Sequence, residues 1–242
     1  MNAPLAPARP AGLLEATVQK LFTRSVTVVD IVDFGSAFRL VTLGGAALVD
    51  VAWTPGDKVQ MQLGGWVQRT YTPIDWNATT GHMRFLAYLH ADGPGTQWAR
   101  GLRTGDAAVV FGPRKSIALA APRAPVIVFG DETSLGLAAA LSGRGAAAVM
   151  LEVASVADTL QVLEHLQMAD VHLCIRRDDQ AHFTELEAHL SALLMEDASP
   201  ELVLTGQASS IQRVSRFLRE TGIGAGKRHS KAYWATGKKG LD

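Results

Sequence analysis

Two stretches of this chain combine residue types that can hold a phosphorylated, ring-bearing ligand. Arg69-Thr70-Tyr71-Thr72 sets a permanent cation, an aromatic ring and two hydroxyls on consecutive positions. Further along, His90-Ala91-Asp92-Gly93-Pro94-Gly95-Thr96-Gln97-Trp98 is a glycine–proline turn running into a helical pattern. In an extended segment side chains alternate between faces, so Arg69 and Tyr71 share one face and Thr70 and Thr72 the other. The planar fork of Arg69 suits a pyrophosphate. Tyr71 can pack beside a flat ring, and the Thr72 hydroxyl or the N–H beside it can bond the ring's edge. Helix starts leave amides unsatisfied and carry partial positive charge, so the turn before Gln97 is a second phosphate site. There Gly95 permits close approach and Thr96 adds a hydroxyl. Together the two pieces suit a flavin dinucleotide. Each also admits a plainer reading: a strand with Tyr71 half-buried and Arg69 solvated, and a turn capped by Thr96 with Trp98 in the core.

The elements that must position these residues follow from periodicity and turn signals. Alternating runs at 25–29, 38–43, 58–63, 83–89 and 107–111 predict strands, punctuated by Gly44-Gly45, Pro55-Gly56-Asp57 and Thr104-Gly105-Asp106. This spacing predicts a small antiparallel β-barrel, interrupted by the Trp98 helix. The pattern changes near 118–125. Strands at 126–129, 147–153, 171–175, 202–204 and 230–235 then alternate with helices at 135–141, 156–166, 184–195 and 209–220. That is a βαβ series with a parallel sheet. The fold class is β + α/β, an N-terminal antiparallel β-barrel followed by a C-terminal parallel-sheet domain. The division expected is a flexible tail over 1–18, a barrel domain over 19–120 and an α/β domain over 121–242.

In open α/β sheets, ligands bind at the carboxyl ends of strands. Two such ends carry small residues, hydroxyls and helix starts: Gly130-Asp131-Glu132-Thr133-Ser134 and Thr205-Gly206-Gln207-Ala208-Ser209. They suit either two well-capped helices or a nucleotide. Asp131 and Glu132 are expected to cap the helix or line the cleft. The first turn has no Gly-x-Gly-x-x-Gly, so a tightly held dinucleotide is not indicated here.

Composition narrows the chemistry. The 242 residues are 48% hydrophobic with zero formal net charge, enough for two compact domains and without a nucleic-acid-binding surface. One cysteine, Cys174, excludes intrachain disulfides and an all-cysteine iron–sulfur cluster, and it is expected to be buried. The redox chemistry must then come from an organic cofactor. The opening Met1-Asn2-Ala3-Pro4 segment lacks the apolar core of a secretory signal, and no long apolar run follows. A cytoplasmic, non-membrane monomer is expected. Basic residues gather late, at Lys227, Arg228, Lys231, Lys238 and Lys239, as a solvated end or as a rim for an anion. Trp234 either covers the ligand's ring or packs in the core, and packing is the expectation.

The ordered set of Phe38-Arg39-Leu40-Val41-Thr42-Leu43, Arg69-Thr70-Tyr71-Thr72, His90 with Gly93-Pro94-Gly95-Thr96-Gln97-Trp98, Gly112-Pro113-Arg114, Gly130-Asp131-Glu132-Thr133-Ser134, Gly206-Gln207 and Tyr233-Trp234 resembles the siderophore-interacting protein family, within the ferredoxin-reductase superfamily. The resemblance implies an FAD-dependent reductase that releases iron from a ferric-siderophore complex. It implies FAD contacts from Arg69, Thr70, Tyr71, Thr72, His90, Pro94, Gly95, Thr96, Trp98 and Arg114. It implies transient docking of NADH or NADPH near Gly130, Glu132, Thr133, Ser134, Gly206 and Gln207, or ferredoxin as donor. Lys115, Arg228, Lys231 and Lys238 are the candidate substrate rim. Three departures stand out. Pro73-Ile74 follows Tyr71-Thr72 where family members usually carry a second basic residue, Lys115 follows Arg114 in place of glycine, and Gln207 replaces the usual glutamate. A ferredoxin or flavodoxin reductase, and a siderophore- or flavin-binding protein without turnover, remain the alternatives.

Overall fold

The computed structural model describes residues 23–65, 67–90, 92–119, 125–143, 147–196, 200–224 and 226–238. The expected tail over 1–18 lies outside them. The first half is a seven-stranded antiparallel sheet built from β1 (Thr23–Phe34), β2 (Phe38–Gly44), β3 (Lys58–Gly64), β4 (Val67–Tyr71), β5 (Pro73–Asn77), β6 (His82–Tyr88) and β7 (Ala107–Arg114). Its order is β4-β3-β7-β1-β2-β6-β5. The sheet curls until β4 approaches β6, with the Tyr71 and Phe85 ring centroids 4.6 Å apart. Period-two alternation sets the curl's inside and outside. Along β2 and β6, Val41, Leu43, Met83, Phe85 and Ala87 point into the enclosed core, while Leu40 and Leu86 point outward.

Sequence periodicity does not predict β5. Pro73, Asp75 and Asn77 are poor strand formers, and proline is tolerated in sheets only where a ladder N–H is not required. β5 is an edge strand, which satisfies that condition. Helix α1 (Pro94–Gly101) follows β6 and packs Ala99 into the enclosed core.

The second half is a parallel sheet of β8 (Val126–Asp131), β9 (Ala147–Val153), β10 (Val171–Ile175), β11 (Glu201–Gln207) and β12 (Arg228–Trp234), in the order β10-β9-β8-β11-β12. Between the strands run α2 (Leu135–Ser142), α3 (Val156–His165), α4 (His182–Glu196) and α5 (Ala208–Thr221). The central strands are apolar on both faces, as a sheet covered by helices on both sides requires. On β8, Val126 and Val128 join one core, while Ile127 and Phe129 join the other with α4 and α5. The first of these cores is shared with the antiparallel sheet. Phe34, Phe38, Leu40, Ile74 and Leu86 pack in one cluster with Leu135, Leu137 and Val162. Helices α2 and α3 are thus sandwiched between the two sheets. Cys174 is buried, as expected.

A glycine makes one close approach at this junction. A Cβ at Gly136, in the first turn of α2, would sit 2.9 Å from the Thr72 carbonyl oxygen and 4.0 Å from Ile74 Cγ1. Glycine to alanine inside a helix normally gains roughly 1 kcal/mol. Here the sign reverses, because overpacking against backbone costs about 1–3 kcal/mol. The expected outcome for Gly136→Ala is a lower urea midpoint at unchanged slope. A midpoint equal to or above that of the wild type would disprove the close packing of α2 on the Thr72 corner.

Candidate functional site

Where the two sheets meet, a cleft of about 460 Å³ opens, within the size range of small-molecule sites. Its lining comes from five places: the end of β4 with Arg69 to Thr72, β6 with Leu86 and Tyr88, the β6–α1 turn with His90 and Asp92 to Thr96, Thr133 and Gly136 around the start of α2, and β12 with Lys231 to Trp234 and then Lys238. Residues distant in sequence converge because β4 ends at the junction and β12 runs alongside β11 towards it.

The cation and the helix start lie side by side. A Cβ at Gly95 would meet Arg69 Cγ at 3.1 Å and Nε at 3.5 Å. The absent side chain lets the guanidinium stem lie across the first turn of α1. Arg69 Nη1 donates to the Gln68 carbonyl at 2.7 Å, which steadies the fork. The helix start suits an anion. Proline stands in its first turn, no acidic residue is present there, and no side chain caps it. Thr96 turns its hydroxyl to the His90 carbonyl at 2.9 Å and so ties the turn together.

Beneath and beside this corner lie the aromatic rings. Tyr71 packs on Phe85, and Trp98 stacks on Phe85 with centroids 6.3 Å apart. Burial pushes the Tyr71 hydroxyl up to about 12, with Arg69 partly opposing, so it stays a neutral donor at physiological pH. A second row runs across the cleft. Tyr88 stacks on His90 at 5.0 Å, and His90 lies 5.9 Å from Trp234. Tyr233 hydrogen-bonds Thr72 and joins β12 to the end of β4; burial pushes its hydroxyl up to about 12.

Behind the cleft, β8 ends in two buried carboxylates. The order β10-β9-β8-β11-β12 reverses direction between β8 and β11, the place where α/β sheets open a ligand crevice. Asp131 is fully buried there. It accepts from the Thr133 N–H at 2.8 Å, from the Thr133 hydroxyl, and from the Trp234 indole N–H at 2.7 Å. Gly206, at φ 95°, leaves room for it; a Cβ would strike the carboxylate at 2.5 Å. Glu132 turns the other way. It accepts from the Tyr88 hydroxyl at 3.2 Å, the Ala154 N–H at 2.6 Å and Arg176 Nη2 at 2.6 Å. Glu152, also buried, binds His182 Nε2 at 2.9 Å and the Ser210 hydroxyl.

The structure gathers some of the candidates singled out by sequence and separates others. Arg69, Thr70, Tyr71, Thr72, His90, Pro94, Gly95 and Thr96 line the cleft together, with Thr133, Lys231 and Lys238. Trp98 lies behind Tyr71 in the core. Arg114 is elsewhere, bonded to Gln60 with its guanidinium 4.7 Å above Phe111, and exposed Lys115 follows it. Arg228 stands at the opposite end of β12, in register with Leu202. Gly130 and Ser134 are in mutual contact behind the cleft, and Gln207 Nε2 reaches the Thr236 hydroxyl at 3.4 Å. Asp131 caps the 3₁₀ turn Glu132–Ser134 that leads into α2, with a capping box to Ser134, while the start of α2 itself has no side-chain cap and Glu132 turns away to Tyr88, Ala154 and Arg176. Trp234 differs from expectation: its ring is a wall of the cleft, because Asp131 holds its N–H. Tyr88 and Gly136 belong to the cleft without a sequence signal, since only the pairing of sheets brings them there. Among the described residues, no helix is long and apolar enough to cross a membrane, and no group of three or more His, Cys, Asp or Glu is arranged to hold a metal ion.

Comparison with known proteins agrees with this arrangement. A family model described as siderophore-interacting protein matches residues 124–237, and one described as siderophore-interacting FAD-binding domain matches 64–117. No curated protein matches the chain. Among solved structures, a siderophore utilization protein from T. fusca is 23% identical, with 91% of this chain and 95% of that one covered, at a TM-score of 0.69. The siderophore-interacting protein SipS from Aeromonas hydrophila is 20% identical over 90% and 93%, at 0.71. Phthalate dioxygenase reductase shares the fold at 12% identity over 91% and 71%, also at 0.71.

Asp131 makes stability pH-dependent. Burial raises its pKa to about 6, the hydrogen bonds from Thr133 and Trp234 pull it down, and neighbouring Glu132 adds to the rise. The folded value exceeds that of the unfolded chain, so the native protein keeps a proton the unfolded chain has lost. The resulting stabilisation is complete below about pH 4 and is lost as pH rises through about 6. Asp131→Asn removes this titration. Its stability relative to wild type should therefore rise by about 2 kcal/mol between pH 4 and pH 7, any fixed offset cancelling in the comparison. Parallel denaturation curves at both pH values measure it; a constant difference would show that Asp131 is not held as described.

Proposed function

The chain belongs to the siderophore-interacting protein family, and from that premise we propose that it is an FAD-dependent reductase of ferric iron held in a siderophore complex. One observation carries the reading: the apposition of Arg69 to the uncapped start of α1 across Gly95. A cation and a set of oriented amides a few ångströms apart, with no carboxylate in the first turn, make a pyrophosphate clamp.

The residues present fit FAD. Arg69, the Gly95–Thr96 backbone and the Thr96 turn would hold the paired phosphates. Tyr71 gives a neutral aromatic surface, and Thr70 and Thr72 supply hydroxyls at the end of β4. Flavin, when bound, supplies acceptance of two electrons and their delivery one at a time. Ferric iron in its chelate is the substrate, and the chain contributes placement, exclusion of water and charge. Trp234 and Tyr233 wall the side facing the parallel sheet. Lys231 and Lys238 place positive charge on the rim, which favours an anionic chelate. Lys231 donates to the Ser116 hydroxyl at 2.8 Å, which fixes its direction.

No cation follows Thr72, since Pro73 starts β5 there. Lys231 on β12 and Lys238 beyond its end are the substitutes on this reading. The electron donor is NADH, NADPH or a reduced ferredoxin, and Thr133 at the β8–β11 crevice is the point of approach for a nicotinamide. The division into a flavin-holding unit over 19–120 and a nucleotide-docking unit over 121–242 is part of the same proposal, as is operation in a reducing compartment.

The purified protein should be yellow and should release FAD on denaturation. Loss of a charged hydrogen-bond partner costs about 1.5–3 kcal/mol, so Arg69→Ala should weaken FAD about 10- to 100-fold, while Lys227→Ala on the exposed far end leaves it unchanged. Anaerobic mixing with NADH, NADPH and reduced ferredoxin, followed by ferric chelates, identifies the donor and the acceptor. A colourless protein that takes up no added FAD would end this reading. A flavin that reduces small redox proteins but no ferric chelate would transfer it to the ferredoxin-reductase type.

A further inference from the structure

The helix that opens onto the cleft is short, and its two ends are held in different ways. Eight residues rise only about 12 Å, and helices of that length are marginal in water by themselves. The start of α1 has no side-chain cap. The last turn, in contrast, is gripped by Arg39, which belongs to β2 and lies outside the cleft. Arg39 Nη1 shares its hydrogens among the carbonyls of Ala99 at 2.7 Å, Arg100 at 3.0 Å and Leu102 at 3.2 Å. The same guanidinium is locked from the other side by Asp33. Nε donates to Oδ1 at 2.6 Å and Nη2 to Oδ2 at 3.0 Å. The Arg39 side chain is 15% exposed.

We infer that Arg39 is a positioning residue for the phosphate-binding end of α1. Three carbonyls that a short helix would leave to water converge on one nitrogen, and a cation at that end complements the helix dipole. The guanidinium cannot slide, because its remaining donors are committed to Asp33 in a fork-to-fork pair. Asp33 and Arg39 stand opposite each other in the β1–β2 ladder, so the anchor is part of the sheet itself. The register of β2 therefore sets the axial position of α1. It thereby sets the height at which the Gly95 and Thr96 amides stand against Arg69. Arg39 acts on the clamp from the far end of the helix without touching what the clamp holds.

This inference rests on the cofactor reading above, and its test separates the two. Wild type, Arg39→Met, Arg39→Lys and Arg84→Met are compared by FAD titration, followed through flavin fluorescence, and by amide hydrogen exchange over residues 97–101 in FAD-free protein. Arg84 pairs with Asp75 on the edge strand, away from the cleft, and controls for general loss of an ion pair. In Arg39→Met, exchange in α1 should quicken about tenfold and FAD affinity should fall about tenfold, the size expected for losing charged hydrogen bonds at a helix end. Arg39→Lys, which keeps the charge without the fork, should recover part of both. Arg84→Met should change neither. Unchanged exchange in Arg39→Met, quickened exchange with unchanged FAD affinity, or an equal loss in Arg84→Met would each overturn the inference. Failure of the wild type to bind FAD would refute the cofactor reading, and the exchange rates would still decide the role of Arg39.

Discussion

The buried carboxylate of Glu132 is the interaction on which the arrangement of the two halves depends. It sits at the end of β8 and is almost fully removed from water, a position that is costly for a charge without partners. Its three donors come from different places: Tyr88 from the antiparallel sheet, the Ala154 N–H from the end of β9, and Arg176 from the segment after β10. Each donor is needed to offset the desolvation of the charge. The Tyr88 bond to Glu132 crosses between the sheets, and the bonds of Tyr233 to Thr72 and of Lys231 to Ser116 tie the same two halves from β12. Apolar packing around α2 and α3 supplies the bulk of the contact, but such packing tolerates sliding. Directional bonds to a buried charge do not.

That constraint reaches the cleft through Tyr88. The same ring that donates to Glu132 stacks on His90, and the His90 carbonyl receives the Thr96 hydroxyl at the start of α1. On the other wall, Asp131, the immediate neighbour of Glu132, holds Trp234. Two consecutive acidic residues thus face opposite sides of one strand end. One fixes the junction and the other fixes a wall of the site, because β8 ends at Asp131 and the chain bends into a 3₁₀ turn at Glu132. Cleft and junction are consequences of a single local geometry.

The site itself divides into a part that is local in sequence and a part that is not. The Arg69–Thr72 segment and the Gly93–Thr96 turn were legible because their chemistry is carried by residue type and near-neighbour order. Extended backbone sorts side chains by parity, and glycine next to proline marks a turn. Arg114 was attractive for the same reason, since it follows a glycine–proline turn. Yet β7 carries it to Gln60 and Phe111, away from the cleft. Local chemistry says what a residue can do, and sheet pairing decides where it does it. Trp234 makes the same point in reverse, as a residue expected in the core that a buried aspartate turns towards the cleft.

The sequence by itself determined the two-part architecture, the positions of the Arg69–Thr72 and Gly93–Thr96 segments that the proposed phosphate clamp uses, and the lack of the cysteines an all-cysteine iron–sulfur cluster needs. Those follow from periodicity, turn chemistry and a single cysteine, all of which act over a few residues. Only the tertiary structure decided that β5 forms despite its proline, that Lys231 and Lys238 reach the rim while Arg228 does not, and that Arg39 supports α1 from behind. These depend on strand order, register and the desolvation of partners far apart in the chain. Free energy of that kind is set by which groups meet once water has been excluded, and local sequence preference does not encode it.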